Sequence, residues 1–225
     1  MTASAIVSGS PRLVIFDCDG VLVDSEPIAN RIRAEALTEE GWVIDFEDAM
    51  RQFKGGKLSE IQREAEERLG RSLGEGWLDR IYAMEFEVYR RELEPIPGVV
   101  DALDALDRAG IRYCVASNGP LAKMKVTLGS TGLLDRFNDR LFSANMVERP
   151  KPAPDLFLHA ARKCGVPPAD CIVVEDSPTG AKAAIAAEIP VYGYTADTPA
   201  SELTAIGVRR TFAAMGDLPA LLSIN

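Results

Sequence analysis

Asp17 and Asp19 stand two residues apart where an apolar run, Leu13-Val14-Ile15-Phe16, gives way to Gly20. Read as a strand running into a turn, the segment delivers two carboxylates to the strand's carboxyl end, where open α/β sheets build their sites. Side chains alternate along an extended chain, so the two acids share a direction only if the backbone stays extended past Asp17. Bare carboxylates this close repel, and one would take up a proton. A hard divalent ion such as Mg²⁺ binds oxygen ligands and keeps a nucleophilic carboxylate ionised. The pair therefore points to phosphoryl transfer.

Three later clusters follow apolar, strand-like segments: Ser117-Asn118-Gly119, Arg149-Pro150-Lys151-Pro152 and Glu175-Asp176-Ser177. They offer a hydroxyl and amides for phosphate oxygens, a lysine to offset charge, and further carboxylates for a metal. Each has an ordinary reading when taken alone. Asp-Gly and Ser-Asn-Gly are turn sequences, a lysine between prolines is a solvated loop residue, and Glu-Asp favours a helix N-terminus. What joins them is topology, because parallel strands present all their carboxyl ends on one edge.

The elements that must do this positioning are legible as periodicity. Strands are expected at Leu13–Phe16, Arg112–Ser117, near Leu141–Ser143, at Cys171–Glu175 and at Val191–Tyr194. Helices are expected at Val99–Ala109, Leu121–Leu128, Pro154–Cys164 and Thr179–Ala187, with a last short strand and helix after them. Strands alternating with helices predict a Rossmann-like parallel sheet covered on both faces. Between Pro27 and Glu94 the pattern is helical throughout, with Ile28, Ile32, Ala36 and Leu37, then Ile61, Ala65 and Leu69, then Trp77–Leu93. This block reads as an insertion, giving a core of residues 1–26 and 95–225 and an all-helical domain of 27–94. Its junctions, Ser25-Glu26-Pro27 and Glu94-Pro95-Ile96-Pro97-Gly98, are proline-marked hinge candidates. Asp24 is expected to fix a loop, Asn30 and Arg33 to lie on the surface of the first inserted helix, and His159 to be an ordinary helix residue.

Composition narrows the class. The 225 residues are 47% hydrophobic and 26% charged, enough for an ordinary core, and the net charge of -9 argues against a general nucleic-acid or anionic-membrane binder. No uncharged apolar run approaches the roughly 18 residues of a membrane span, and Met1–Ser10 lacks the features of a targeting segment, so a cytoplasmic protein is expected. Cys18, Cys114, Cys164 and Cys171 form no Cys-x-x-Cys pair and read as free thiols.

With its motifs in the order Asp17-x-Asp19-Gly20, Ser117, Lys151 and Glu175-Asp176, the chain resembles the haloacid dehalogenase superfamily. The likeness lies with the β-phosphoglucomutase-like group of phosphatases, which carry a helical cap inserted after the first motif. The resemblance spans essentially the whole chain and implies a role for each matched position. Asp17 would be the nucleophile that forms an aspartyl-phosphate. Asp19 would act as acid on the leaving oxygen and then as base on water. Ser117, with Asn118, would donate to the phosphoryl group, and Lys151 would neutralise charge on it. Mg²⁺ would be held by Asp17, Asp19 through its backbone, Asp176 and Glu175, the last directly or through water.

Arg51-Gln52-Phe53-Lys54-Gly55-Gly56-Lys57-Leu58 joins two inserted helices, and in related phosphatases the corresponding linker dips into the crevice. That places Lys54 and Lys57 on an anionic substrate, a small phosphorylated metabolite such as a sugar or sugar-acid phosphate. Phe53-Lys54-Gly55-x-Lys57-Leu58, Ser117-Asn118-Gly119-Pro120 and Lys123-Met124 look like the bacterial phosphatases of 6-phosphogluconate. A β-phosphoglucomutase-type phosphotransferase is the alternative, although the cap histidine and arginine used there align with Ala29 and Leu58. Dehalogenation is disfavoured because Asp19 marks a phosphotransferase. A phosphate-binding module without turnover is the reading from a different class, disfavoured by the presence of every reactive position together.

Overall fold

The computed structural model describes residues 10–224, so the expectation about the first nine residues lies outside the described range. In chain order the elements are β1 (Leu13–Phe16), α1 (Glu26–Glu39), α2 (Phe46–Phe53), α3 (Leu58–Leu69) and α4 (Trp77–Glu92). There follow α5 (Val99–Arg108), β2 (Arg112–Ser117), α6 (Leu121–Ser130), α7 (Leu134–Phe137), β3 (Leu141–Ser143) and α8 (Asp155–Lys163). The chain continues through β4 (Cys171–Glu175), α9 (Pro178–Ala186), β5 (Val191–Tyr194), α10 (Ala200–Ile206), β6 (Arg210–Phe212) and α11 (Leu218–Leu221).

Among the described residues six strands form one sheet in the order β3-β2-β1-β4-β5-β6, and every pairing is parallel. β1 is the centre, with Leu13 opposite Arg112 on one side and Cys171 on the other. Its four apolar residues are fully buried because both faces of the sheet are covered. The alternation of a strand divides them. Val14 and Phe16 pack with α5, α6 and α11, while Leu13 and Ile15 pack with α8, α9 and α10. Chain order runs outward from β1 to β2 and β3, then resumes on its other flank at β4. The switch point therefore lies between β1 and β4, and their carboxyl ends open a crevice there.

The four helices α1 to α4 lie between β1 and α5, and their apolar faces close on a cluster of their own that includes Leu37, Trp42, Phe53, Ile61, Trp77 and Ile81. Short α2 and α7 go beyond the sequence expectation. α2 starts at an Asp45 whose side chain accepts from Asp48 N, an N-cap arrangement. Cys18, Cys114 and Cys171 are buried free thiols and Cys164 is half-buried. His159 sits on α8 with its ring edge-on to Phe142 and the side chain of Arg162 beside its Nδ1.

Two sequence expectations are overturned. Asn30 is 0% and Arg33 3% exposed, so neither is a surface residue. Both fall on the stripe of α1 shared with Ala29 and Leu37, and a partner far along the chain, Glu85 of α4, makes burial of Arg33 tolerable.

Ile15 supports the sheet at its centre, so Ile15→Ala is expected to destabilise the protein by about 2–5 kcal/mol in urea unfolding. A loss below about 1 kcal/mol would show that the centre of the sheet is not the best-packed part of the molecule.

Candidate active site

β1 leads directly into Asp17, whose backbone N–H donates to Val174 O of β4 (3.0 Å) and so keeps the chain in sheet register one residue past the strand. The backbone then folds into a tight loop. Leu22 and Val23 donate to Cys18 O (2.9 and 3.2 Å), and Gly20 donates to Val23 O (2.9 Å). Gly20 adopts φ +79°, and a Cβ there would overlap the Asp176 carboxylate, so the loop and the second acid can approach only through a glycine.

The centre of the site is Lys151, 4% exposed, whose Nζ donates to Asp17 Oδ1 at 2.6 Å and to Glu175 Oε1 at 2.7 Å. Its Nζ also lies 4.6 Å from the centroid of the Phe157 ring. Asn118 fixes the Lys151 backbone from both sides: its Oδ1 accepts from Lys151 N (3.0 Å) and its Nδ2 donates to Lys151 O (3.2 Å). The other oxygen of Glu175 accepts from Ser177 N and Oγ (3.1 and 2.9 Å). Ser177 in turn caps α9 by accepting from Gly180 N (3.0 Å), so the Glu175 carboxylate rests at the positive end of that helix. Glu175 is thus turned to Lys151 and Ser177. Ser117, 2% exposed at the end of β2, accepts from Gly119 N (3.0 Å).

Asp19 points elsewhere. Its Oδ1 accepts from Lys123 Nζ at 2.8 Å and from the Ser25 hydroxyl. Burial works against its ionisation, but the charge and hydrogen bond of Lys123, with the hydroxyl of Ser25, outweigh burial and hold it below the usual carboxylate range. The Asp17 carboxyl behaves oppositely: burial, opposed by Lys151 and reinforced by Glu175 and Asp19, pushes it up to about 7. The Asp176 carboxyl is also raised, by burial first and then by Glu175 and Asp17. Asp17 and Asp176 are therefore two neighbouring buried carboxylates short of positive charge. Among the described residues no three His, Cys, Asp or Glu side chains form a metal cage. Carboxylate oxygens are donors that suit a hard cation such as Mg²⁺, which keeps several waters and shares its shell with substrate phosphate.

These groups line one cavity of about 810 Å³ together with Arg33, Arg51, Lys54, Lys57 and Tyr82 from the inserted helices. Asp17, Asp19, Ser117, Asn118, Lys151, Glu175 and Asp176, expected from sequence, all meet there. Lys54 reaches out of the insertion to Asp197 Oδ2 (2.9 Å), in the segment after β5, while Lys57 stays 40% exposed with Glu60 at 4.0 Å. Asp24 is exposed on the loop, its backbone N–H on Glu94 O. Lys123 was visible only as part of a motif. Its signal was a lysine in the first turn of a helix, where the dipole favours acids, which implies a carboxylate close by.

A doubly wound parallel sheet that gathers acids, a lysine and a serine on its carboxyl edge has the make-up of a phosphoryl-transfer enzyme of the α/β class. The model of the haloacid dehalogenase-like hydrolases matches residues 11–188, and the chain belongs to that family as a phosphoric monoester hydrolase. It is 38% identical over 185 residues to the 6-phosphogluconate phosphatase of Escherichia coli K12, covering 82% of each chain. A conserved haloacid dehalogenase-like protein of unknown function from Agrobacterium tumefaciens superposes with TM-score 0.79 and 36% identity over 94% of this chain and 97% of that one. A family hydrolase from Deinococcus radiodurans, solved with phosphate and sodium, gives TM-score 0.79 and 27% identity over 96% of each.

Gly180 is the tightest backbone approach in the site, because an added Cβ would overlap the Glu175 carboxylate. Gly180→Ala is expected to dislodge Glu175 and Lys151 and lower kcat/KM on p-nitrophenyl phosphate about 10²-fold with the circular dichroism spectrum kept. Wild-type rates would show that Glu175 does not place Lys151.

Proposed function

We propose that the protein hydrolyses a phosphorylated sugar or sugar acid, with 6-phosphogluconate as the type substrate, through an aspartyl-phosphate on Asp17. The observation that carries this reading is the contact of Lys151 with Asp17 inside a cavity also lined by Ser117, Asp19 and Asp176.

In the first step an Asp17 carboxylate oxygen attacks phosphorus, the bond to the leaving oxygen breaks, and Asp19 gives that oxygen its proton. Lys151, Ser117 and the Asn118 backbone neutralise the charge on the phosphoryl oxygens. In the second step Asp19 takes a proton from water, which attacks the aspartyl-phosphate and releases inorganic phosphate and the Asp17 carboxylate. The contact with Lys123 favours ionised Asp19, the form this second step needs. The first step needs the acid form, so Asp19 must take up a proton from solvent before the leaving oxygen departs.

Asp17 and Asp176, with the Asp19 backbone, would hold Mg²⁺, and Glu175 serves it only indirectly, being committed to Lys151 and Ser177. When bound, the metal supplies positive charge that keeps Asp17 ionised and offsets the charge of the phosphoryl group. Helices α1 to α4 act as a cap, and their wall of the cavity carries Arg33, Arg51, Lys54 and Lys57 against the single acid Glu26. With phosphate on the sheet edge, that wall faces the remote end of the substrate and favours a second anion there. Ala29 and Leu58, which carry no titratable group where the resemblance to the mutases would call for a histidine and an arginine, argue against a mutase.

The test is Mg²⁺-dependent phosphate release across a panel of sugar phosphates that includes 6-phosphogluconate and β-glucose 1-phosphate. Preference for the sugar acid, abolished in Asp17→Asn, is expected; no release at all would favour a binding module. Lys57→Ala is expected to lose more on 6-phosphogluconate than on p-nitrophenyl phosphate, and equal losses would remove this lysine from substrate recognition.

A further inference from the structure

Three nucleophilic side chains gather away from the cavity. Cys114 and Cys171 are buried in the core on the α8 side of the sheet, and Cys164 packs against the same cluster. The strand register sets this group toward the amino edge, remote from the crevice. Leu13, the first residue of β1, has Cys171 on one flank and Arg112 on the other, and Cys114 follows Arg112 by two residues on the same face. Cys164 directly follows the last turn of α8 and is half-buried, and its carbonyl accepts from Arg112 Nη1 at 2.8 Å.

The thiols are not alike. That of Cys114 donates to the Cys164 sulfur, and this contact, with the charges of Arg140 and Arg112, outweighs burial and brings the Cys164 thiol down to about 7. Burial pushes Cys114 well up, and pushes Cys171 up to about 12. Cys171 is also committed elsewhere, since its thiol donates to Pro167 O at 3.3 Å. Cys18 belongs to the core on the opposite face of the sheet, with Thr127 Oγ1 beside its sulfur. Only Cys164 therefore combines access, thiolate character and a second thiol in contact, the combination that marks a peroxide-sensitive cysteine with its resolving partner.

We propose that Cys164 and Cys114 form a modification site, a dithiol that a peroxide converts reversibly to a disulfide, with Cys164 attacking and Cys114 resolving. The Cys164 thiolate attacks one peroxide oxygen, the O–O bond breaks, and the departing hydroxide takes up a proton to become water. Cys164 is left as a sulfenic acid, and the peroxide has accepted its two electrons. The Cys114 sulfur then attacks the sulfenic sulfur, the S–S bond forms as the S–O bond breaks, and the hydroxyl leaves with the Cys114 proton as a second water. The bridge ties the end of α8 to β2, and a dithiol reductant reopens it by exchange.

The test treats the reduced full-length protein with a small excess of hydrogen peroxide, counts free thiols in denaturant, and maps peptides without reduction. Two of the four thiols are expected to be lost, in one peptide pair that links Cys114 to Cys164 within a chain and is restored by dithiothreitol. Cys171→Ala is expected to keep the bridge. In Cys114→Ala, with its circular dichroism spectrum checked against wild type, dimedone is expected to label Cys164 as the trapped sulfenic acid. A bridge to Cys171 or between two chains would overturn the pairing. Four free thiols at a peroxide dose that oxidises glutathione, or no dimedone on Cys164 in a folded Cys114→Ala, would overturn the site.

Discussion

The buried ammonium of Lys151 is the constraint on which the rest of the site depends. A lysine 4% exposed is tolerable only with its charge matched and its donors used, and the fold supplies Asp17 from β1 and Glu175 from β4 at 2.6 and 2.7 Å. Each supporting feature answers to that pairing. Asn118, at the end of β2, grips the Lys151 backbone, Ser177 holds the far oxygen of Glu175, and Gly180 leaves room for the carboxylate. Lys151 thereby ties β1 and β4 together through its ammonium and β2 through its backbone, and Asp17 is placed by the same contact that offsets its charge.

One cation does not balance the acids gathered there. Asp17 and Glu175 share Lys151 while Asp176 has no contact with it, and burial drives both the Asp17 and the Asp176 carboxyls toward the protonated form. In the proposed reading Asp17 attacks as a carboxylate, which calls for more positive charge between β1 and β4. Gly20 shows that the Asp17 loop and Asp176 are built to close on one another, since no other residue would admit the approach. In the proposed reading a divalent ion supplies that charge beside Lys151.

Much of this was legible in the sequence, for a physical reason. A fully buried parallel strand leaves an uninterrupted apolar run, and Leu13-Val14-Ile15-Phe16 followed by acids and glycine marks both the strand and its reactive end. Once the strands are known to be parallel, Ser117, Lys151 and Glu175-Asp176 must come to the same edge. What the sequence hid were contacts whose partners are distant in the chain. Arg33 on an apolar stripe looks like a surface residue until Glu85, 52 residues away, is seen to neutralise it. Lys123 looks like a solvated lysine until Asp19 is placed beside it, and nothing local says that Glu175 turns to Lys151. Periodicity reports burial of apolar groups, whereas pairing of buried charges is a property of the assembled fold.

The central claim is that Asp17 carries the phosphoryl group during turnover. It is tested most directly by mixing enzyme, Mg²⁺ and excess 6-phosphogluconate, quenching in acid within a turnover, and mapping peptides by mass spectrometry. The account predicts one added phosphoryl group on Asp17, appearing before the steady state and absent from Asp17→Asn. Steady turnover with no phosphorylated aspartate at any quench time, or a phosphoryl group on another side chain, would contradict it.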